Sequence, residues 1–380
     1  MIEKTCKPGI LFTYRQMVPA AAGATMLFGG GAQKRVFQLA SYLASTGKYR
    51  VFLASAEGRD ARVVKELEKN GVRHLHIGFN STLLSPLAAC RLNAFLRREK
   101  ISIVNANDRK SAFVAYLACL FSRTTELVFT ARITFSGRKY SSFWMGKHTV
   151  AVSEGVKKHQ MEYFGQPERQ IAVIYNGTDI RPAAPEAIAA LRSEIGLPAD
   201  ARVLLSVGRL AKVKGCDLTI NALPAILRHH PSTYFVAAGE GPEREALLEL
   251  AQRLGVADHV KLVGYHDDLA AYYGLADLVL LPSYAEGLPG ALLEASLLGK
   301  PIVATDIPGC TEVVEPEKTG ILIPPGEVAP LADAVIRLLA SDDLRKAFGA
   351  AAREQAEKKF TLQTMFANYE KYFDRLLPQP

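Results

Sequence analysis

Cysteine is scarce in this chain: Cys6, Cys90, Cys119, Cys216 and Cys310 are five in 380 residues, an odd number at wide, irregular spacing. That pattern argues against a disulfide frame or a zinc site and suits reduced thiols in a cytoplasmic protein. Long apolar runs are missing too, and none approaches the ~18 residues of a membrane span. The opening MIEKTCKPGILFTYR holds an apolar stretch too short and too soon broken for a signal peptide, so the expected location is the cytoplasm. No histidines or cysteines group at ligand spacing, and no cofactor or metal is expected.

Acidic residues are sparse in one region. Residues 91–150 carry eleven Lys and Arg (Arg91, Arg97, Arg98, Lys100, Arg109, Lys110, Arg123, Arg132, Arg138, Lys139, Lys147) against Glu99, Asp108 and Glu126. The local excess of eight equals the net charge of the whole chain, +8. Such a segment is either a solvated basic face or a surface for an anionic lipid or acceptor, since basic residues near a bilayer gain ~1 kcal/mol each. It contains no nucleic-acid-binding module, and nucleic acid is not an expected partner.

At 380 residues the chain exceeds one ordinary core, and hydrophobic content of 49% with 22% charged residues is that of a globular protein. Short apolar, β-branched runs alternate with helix-period segments. ILFT (10–13), VFLAS (51–55), HLHIGF (74–79), ISIVNA (101–106), ELVFT (126–130), TVAVS (149–153) and IAVIY (171–175) form a first series. VLLSVG (203–208), YFVAAG (234–239), VKLVG (260–264), DLVLL (277–281), PIVAT (301–305) and GILIP (320–324) form a second. Val36, Leu39, Ala40 and Leu43 illustrate the helical spacing between strands. Repeated βα units with nearly all-apolar strands imply an α/β protein of two doubly wound, Rossmann-like domains with parallel sheets. The segment 181–201, with three prolines and no strand pattern, reads as the linker. The expected domains are 1–178, completed by an amphipathic C-terminal helix at about 360–380, and 179–359. Ligands of such folds bind outside the carboxyl ends of the strands, here on a shared cleft between facing domains.

Three stretches carry chemistry. GGGAQKRVFQLASYL (29–43) ends a loop whose glycines leave backbone N–H groups open beside a helix N-terminus, suiting an anion or simply a flexible turn. It is not the GxGxxG of a dinucleotide site. VLLSVGRLAKVKGCD (203–217) puts Arg209 and Lys214 just past a strand, able to aim a guanidinium and an ammonium at a diphosphate. SYAEGLPGALLEA (283–295) has Glu286 ahead of a helix of about ten residues opened by Pro289, and Glu294 within it. Glu286 is either a site carboxylate or a partner for the helix dipole, and Glu294 either a ligand or a surface residue.

Taken together and in order, the motifs resemble family 4 of the retaining glycosyltransferases, which have the GT-B fold, over nearly the whole chain. The matching segments are Gly29-Gly30-Gly31-Ala32, AVSEGVKKHQ (151–160), VIYNGTD (173–179), VGRLAKVKG (207–215), EGLPGALLE (286–294), DIPGCTEVV (306–314) and TGILIPPGE (319–327). The resemblance implies transfer of a sugar from a nucleotide-diphosphate donor without a metal. Arg209 and Lys214 would bind the diphosphate and stabilise the departing nucleotide. Glu286 would contact the transferred sugar, with Gly287, Leu288 and Pro289 beside it, and Glu294 would hold the ribose. Tyr265, His266 and Asp268 match a loop near the base, and Gly30 and Gly31 would approach the diphosphate or the acceptor.

Many relatives in that family carry histidines after the fourth and fifth strands of the first domain. Here VNAND (104–108) and FTARITF (129–135) place Asn105, Asn107 and Arg132 instead. Arg132 cannot act as a base near neutral pH but can hold a phosphate or carboxylate, so Asn107, Arg109 and Arg132 are the acceptor candidates. The expected acceptor is a cell-envelope glycan or glycolipid, such as a lipopolysaccharide core or an undecaprenyl-linked intermediate. The alternatives are an epimerase on the same fold, which needs no acceptor, and a noncatalytic nucleotide-sugar-binding protein.

Overall fold

The computed structural model describes residues 7–15, 31–57, 61–79, 85–122, 124–133 and 145–377. The chain divides into two compact units. The first is Met1–Asn176 with Gln363–Pro380, and the second is Gly177–Leu362.

The first unit is built on strands β1 (Gly9–Thr13), β2 (Arg50–Ser55), β3 (Arg73–His76), β4 (Ile101–Ala106), β5 (Glu126–Ala131), β6 (His148–Ala151) and β7 (Ile171–Val173). Their order in the sheet is β3-β2-β1-β4-β5-β6-β7, and every pair is parallel. Ile10, Leu11 and Phe12 are buried on both faces of the sheet, as its continuous apolar runs require. The order reverses between β1 and β4, where Phe12 pairs with Leu53 on one side and Asn105 on the other. Side chains following β1, β4 and β5 therefore converge at this switch point.

The C-terminal helix Leu362–Leu376 includes Phe373, which sits fully buried with its ring edge-on to Phe12 at 6.4 Å. Tyr42 stacks on Phe366 at 4.4 Å, and Tyr49 Oη donates to Asp374 at 2.5 Å. Aromatic packing, more than the exposed Lys48–Asp374 and Lys48–Glu370 ion pairs, holds this helix to the first unit.

The second unit has β8 (Arg202–Val207), β9 (Thr233–Ala238), β10 (Val260–Gly264), β11 (Leu278–Leu281), β12 (Ile302–Thr305) and β13 (Gly320–Ile323), ordered β10-β9-β8-β11-β12-β13 and again parallel. Leu204, Phe235, Leu280 and Val303 from the sheet meet Ile220, Leu223, Val335 and Leu338 from helices in one apolar core. Its switch point lies between β8 and β11.

Two sequence expectations change. The proline-rich stretch 181–201 is not a bare linker: Pro185 starts the helix Pro185–Glu194, a position where proline's missing N–H costs nothing. Ile188 of that helix fills the space a Cβ on Gly274 would occupy, 2.5 Å away, so the helix is packed into the second unit. The basic segment is likewise not one face. Arg97 and Arg98 end a helix just before β4 starts, whereas Arg109 and Lys110 open a helix just after β4 ends. The six residues of β4 separate the two groups by roughly 20 Å.

Candidate active site

The site in the second unit starts from a tight turn. β8 runs into Gly208 and Arg209, then a single turn of 3-10 helix, Lys212–Lys214, and Gly215. Gly215 has φ +66, and a Cβ there would stand 2.1 Å from the Pro282 carbonyl oxygen. Only glycine serves at this point, because the loop after β8 must lie against the end of β11. That approach brings Lys214 to the β11 loop. Its Nζ donates to Glu286 Oε1 at 2.6 Å, and Ser283 Oγ donates to the same oxygen at 2.8 Å.

The Glu286 side chain is only 8% exposed, against 27% for Lys214, so the carboxylate is fixed while the ammonium keeps access to solvent. Thr305 Oγ1, at the end of β12, donates to the Ser283 carbonyl at 2.5 Å and holds the loop from beneath. The Arg209 side chain is exposed and makes no hydrogen bond or ion pair among the described residues. Its backbone neighbours are anchored: the Leu210 N–H donates to the Glu240 carbonyl, and Gly239 leaves room for the Gly208 carbonyl. The result is a rigid loop presenting two cations, one tied to a carboxylate.

Gly287 and Leu288 follow, and Leu288 is buried. The helix runs Gly290–Leu297, so Pro289 is its N-cap residue, with φ −74 and ψ 114, and not its first turn. Glu294, on that helix, accepts from Tyr273 Oη at 3.0 Å; the same hydroxyl reaches the Ala291 carbonyl at 3.1 Å. Burial, reinforced by the Glu294 charge, holds the Tyr273 phenol far above its usual range, so it remains a donor. Tyr265 is also raised, by burial first, then by Asp267, with Glu294 contributing, which puts Tyr265 within electrostatic reach of Glu294. Glu286 and Glu294 thus belong to separate constellations.

Two other sequence candidates have local partners. His266 Nε2 lies 3.0 Å from the Val263 carbonyl and 2.7 Å from Tyr272 Oη. Asp268 Oδ1 accepts from the Ala270 N–H at 2.9 Å, at the start of the helix Ala270–Leu275. Burial pushes both nearby thiols, Cys216 and Cys310, up to about 12, so they are neutral and unreactive. Among the described residues no group of His, Cys, Asp and Glu is arranged to hold a metal ion.

In the first unit, Gly30 lies outside the described residues, and Gly31 is the first residue of the helix Gly31–Ser45. Asp108 caps the helix Arg109–Cys119: its Oδ1 accepts from the N–H groups of Lys110 and Ser111, both at 3.0 Å. Asn107, which is buried, donates to the Asn105 side chain at 2.8 Å and accepts from Arg132 Nη2 at 2.9 Å. Arg132 Nη1 reaches Asn176 Oδ1 at 3.2 Å. Of the acceptor candidates, Asn107 and Arg132 are in contact, while Arg109 stands at the neighbouring helix start.

The residues that sequence reasoning missed are Ser283, Thr305 and Tyr273. Ser283 lies inside the quoted motif, one turn before Glu286, and was available as a signal. Tyr273 and Thr305 had none, because their role exists only once strands and helices are packed.

Two all-parallel, doubly wound units with their functional loops at strand carboxyl ends define the class of fold. The whole chain superposes on a glycosyltransferase from Rickettsia africae with a TM-score of 0.85 at 23% identity, covering 98% of this chain and 100% of that one. An Anabaena protein solved in complex with UDP-glucose gives 0.80 at 23% identity, covering 97% and 99%. Sequence profiles then place it. "Glycosyltransferase Family 4" matches residues 29–181 and "Glycosyl transferases group 1" matches residues 188–355. The chain belongs to this glycosyltransferase family.

Among its relatives, a lipopolysaccharide core biosynthesis glycosyltransferase of Rhizobium meliloti is 32% identical over 208 residues, 55% of this chain and 58% of that protein. An alpha-D-kanosaminyltransferase of Streptomyces kanamyceticus is 31% identical over 293 residues, 70% and 75% respectively. The match to the Rhizobium protein thus spans little more than half of its length.

Proposed function

We propose that the protein is a retaining, metal-independent glycosyltransferase that moves a sugar from a nucleotide-diphosphate donor to a cell-envelope glycan or glycolipid. The observation that carries this reading is the joint placement of Arg209, Lys214 and Glu286 at the switch point between β8 and β11. Departure of a nucleotide diphosphate leaves an oxocarbenium-like sugar and a growing negative charge. Arg209 and Lys214 meet that charge with a planar fork and a point ammonium, the cationic role otherwise open to a metal. Glu286, held by Lys214 and Ser283, faces the hydroxyls of the transferred sugar; Gly287, Leu288 and the Pro289 turn shape its pocket. Glu294 takes the ribose hydroxyls, with Tyr265 near it for the base. Retention follows same-face attack, with a donor phosphate oxygen taking the acceptor's proton.

The Anabaena structure with UDP-glucose makes that donor the first to test, and the Rhizobium relative's name supports a lipopolysaccharide-type acceptor. A panel of nucleotide sugars read by thermal stabilisation tests the donor: a ligand at ~100 times its dissociation constant adds ~2.7 kcal/mol. Slow donor hydrolysis unaffected by a chelator is expected next, with the α or β configuration of the donor kept in the product. If no nucleotide sugar raises the melting point, the reading is lost. Formation of an epimerised nucleotide sugar without acceptor would replace it with the epimerase.

No helix among the described residues is long and apolar enough to cross a membrane. The proposed peripheral contact is the edge where Leu120 and Phe121 are 56% and 69% exposed and Arg97 Nη2 holds the Phe121 carbonyl at 2.7 Å, with Arg98 next in sequence. Exposed apolar side chains beside an arginine suit an anionic bilayer on the cytoplasmic side. Phe121→Ser should abolish sedimentation with phosphatidylglycerol vesicles; wild-type protein left in the supernatant would remove the contact.

A further inference from the structure

Arg132 directly follows β5, the neighbour of the switch-point strand β4 in the first unit's sheet. Its guanidinium has two neutral partners, the side-chain oxygens of Asn107 and Asn176, at 2.9 and 3.2 Å. Among the described residues its Nε, sealed from solvent, has no hydrogen-bond acceptor, and no carboxylate pairs with the group. A shielded cation ordinarily has a counter-ion, because desolvating a charge is costly. This protein supplies one elsewhere: the nearly buried Arg345 is held by Asp342, Asp277 and two backbone carbonyls.

The amides around Arg132 are themselves fixed. Asn105 donates to Thr130 Oγ1 at 2.9 Å, Asn107 donates back to Asn105, and the Asn107 oxygen is thereby turned toward the guanidinium. Such a relay orients an arginine without neutralising it. The surroundings add positive charge. Arg15 follows β1, and its N–H binds Asp108 Oδ2 at 2.6 Å; Arg109 and Lys110 open the next helix. The one acid in the group, Asp108, is fully engaged as the helix cap. The Tyr14 phenol is raised by burial, while the charges of Arg132 and Arg15 pull it down and Asp108 pushes it up, so it feels the field of both arginines.

We infer that Arg132, oriented by Asn107 and Asn176, is the anchor for an anionic oxygen group, a phosphate or a carboxylate, on the acceptor. The inference rests on the glycosyl-transfer reading for the word acceptor. The anion site itself does not. Two of the five guanidinium N–H groups are used by the amides, one on each Nη, and the second N–H of each Nη is left to donate to an anionic oxygen.

Two measurements on the full chain test it. In the first, the ¹⁵N signal of the Arg132 Nε–H, assigned by its loss in Arg132→Lys, is followed during titration with inorganic phosphate and with acetate. A saturable shift is expected; the anion that binds more tightly tells phosphate from carboxylate. No shift with either would overturn the site whatever the enzyme's activity. In the second, transfer is measured to matched alkyl glycosides that are neutral, phosphorylated or carboxylated. Arg132→Gln should raise KM for the anionic acceptor about 10- to 100-fold, the size of a lost charge-assisted bond. The loss should be larger for the anionic than for the neutral acceptor by about that factor, and Arg132→Lys should recover part of it. Equal damage to neutral and anionic acceptors, or to donor hydrolysis, would overturn the acceptor role. Absence of any hydrolysis or transfer in wild type would instead sink the glycosyl-transfer reading and leave the titration to judge the anion site.

Discussion

Lys214 has two duties that pull in different directions. It holds Glu286 at 2.6 Å, and under the proposed function it is also one of the two cations that meet the diphosphate. An interaction that strengthens as the leaving group gains charge lowers the barrier, whereas one present equally in the bound donor does not. Lys214→Ala should therefore lower turnover by about 10²-fold or more, as loss of one oxyanion donor does, while donor affinity changes less. Measuring kcat beside the donor dissociation constant separates the two, and wild-type turnover would remove Lys214 from the chemistry. The Glu286 carboxylate keeps Ser283 in the variant, so its collapse is not the expected cause of the loss. Sequence alone placed Lys214 after a strand and Glu286 before a helix. Their contact was not legible, because it joins residues 72 apart and depends on Gly215 clearing the Pro282 carbonyl.

At the scale of elements, the strands were legible because parallel strands are buried on both faces and read as short apolar runs, as Ile10-Leu11-Phe12 and Leu278-Val279-Leu280-Leu281 do. The helix Pro185–Glu194 was not, since its alanine-rich face and three neighbouring prolines resemble a linker and only Leu191 is buried. Close helix packing was equally hidden. Gly349 lies inside the helix Asp342–Lys359, and a Cβ on it would stand 2.0 Å from the Gly299 carbonyl, just past the end of the helix Gly290–Leu297. Propensity alone would make Gly349→Ala stabilising by about 1 kcal/mol. Overpacking against backbone costs about 1–3 kcal/mol, and at 2.0 Å an atom must move, so the clash wins. We expect a net loss of about 1–2 kcal/mol in urea unfolding of the variant, and a gain would show that the helix can shift without cost. A displaced Gly290–Leu297 helix would also carry Glu294 with it, so weaker donor binding should accompany the lost stability.

For the whole molecule, acid sensitivity has a specific contributor in the first unit. His74 on β3 has its Nε2 2.8 Å from Ser55 Oγ, and burial, with a smaller push from His76, brings its pKa down to about 4 from 6.5. In the fold the ring is neutral over pH 4–6.5, whereas in the unfolded chain it takes up a proton below about 6.5. The unfolded state then binds more protons than the folded one across that window, so stability rises with pH there. This contribution is fully present above pH 6.5, is lost as pH falls, and levels off below about 4, where the folded protein protonates too. Carboxylates in ion pairs, such as Glu317 with Arg337, also weaken in acid, but their titration lies lower, because the pairing depresses the Glu317 pKa. Replacing His74 by Gln keeps a group able to bond Ser55 and removes the titration. The difference in unfolding free energy between wild type and His74→Gln should therefore change between pH 7 and 4.5 and be flat from 7 to 8. A difference independent of pH would mean that His74 is accessible enough to protonate in place, and that the acid response of the molecule comes from its carboxylates alone.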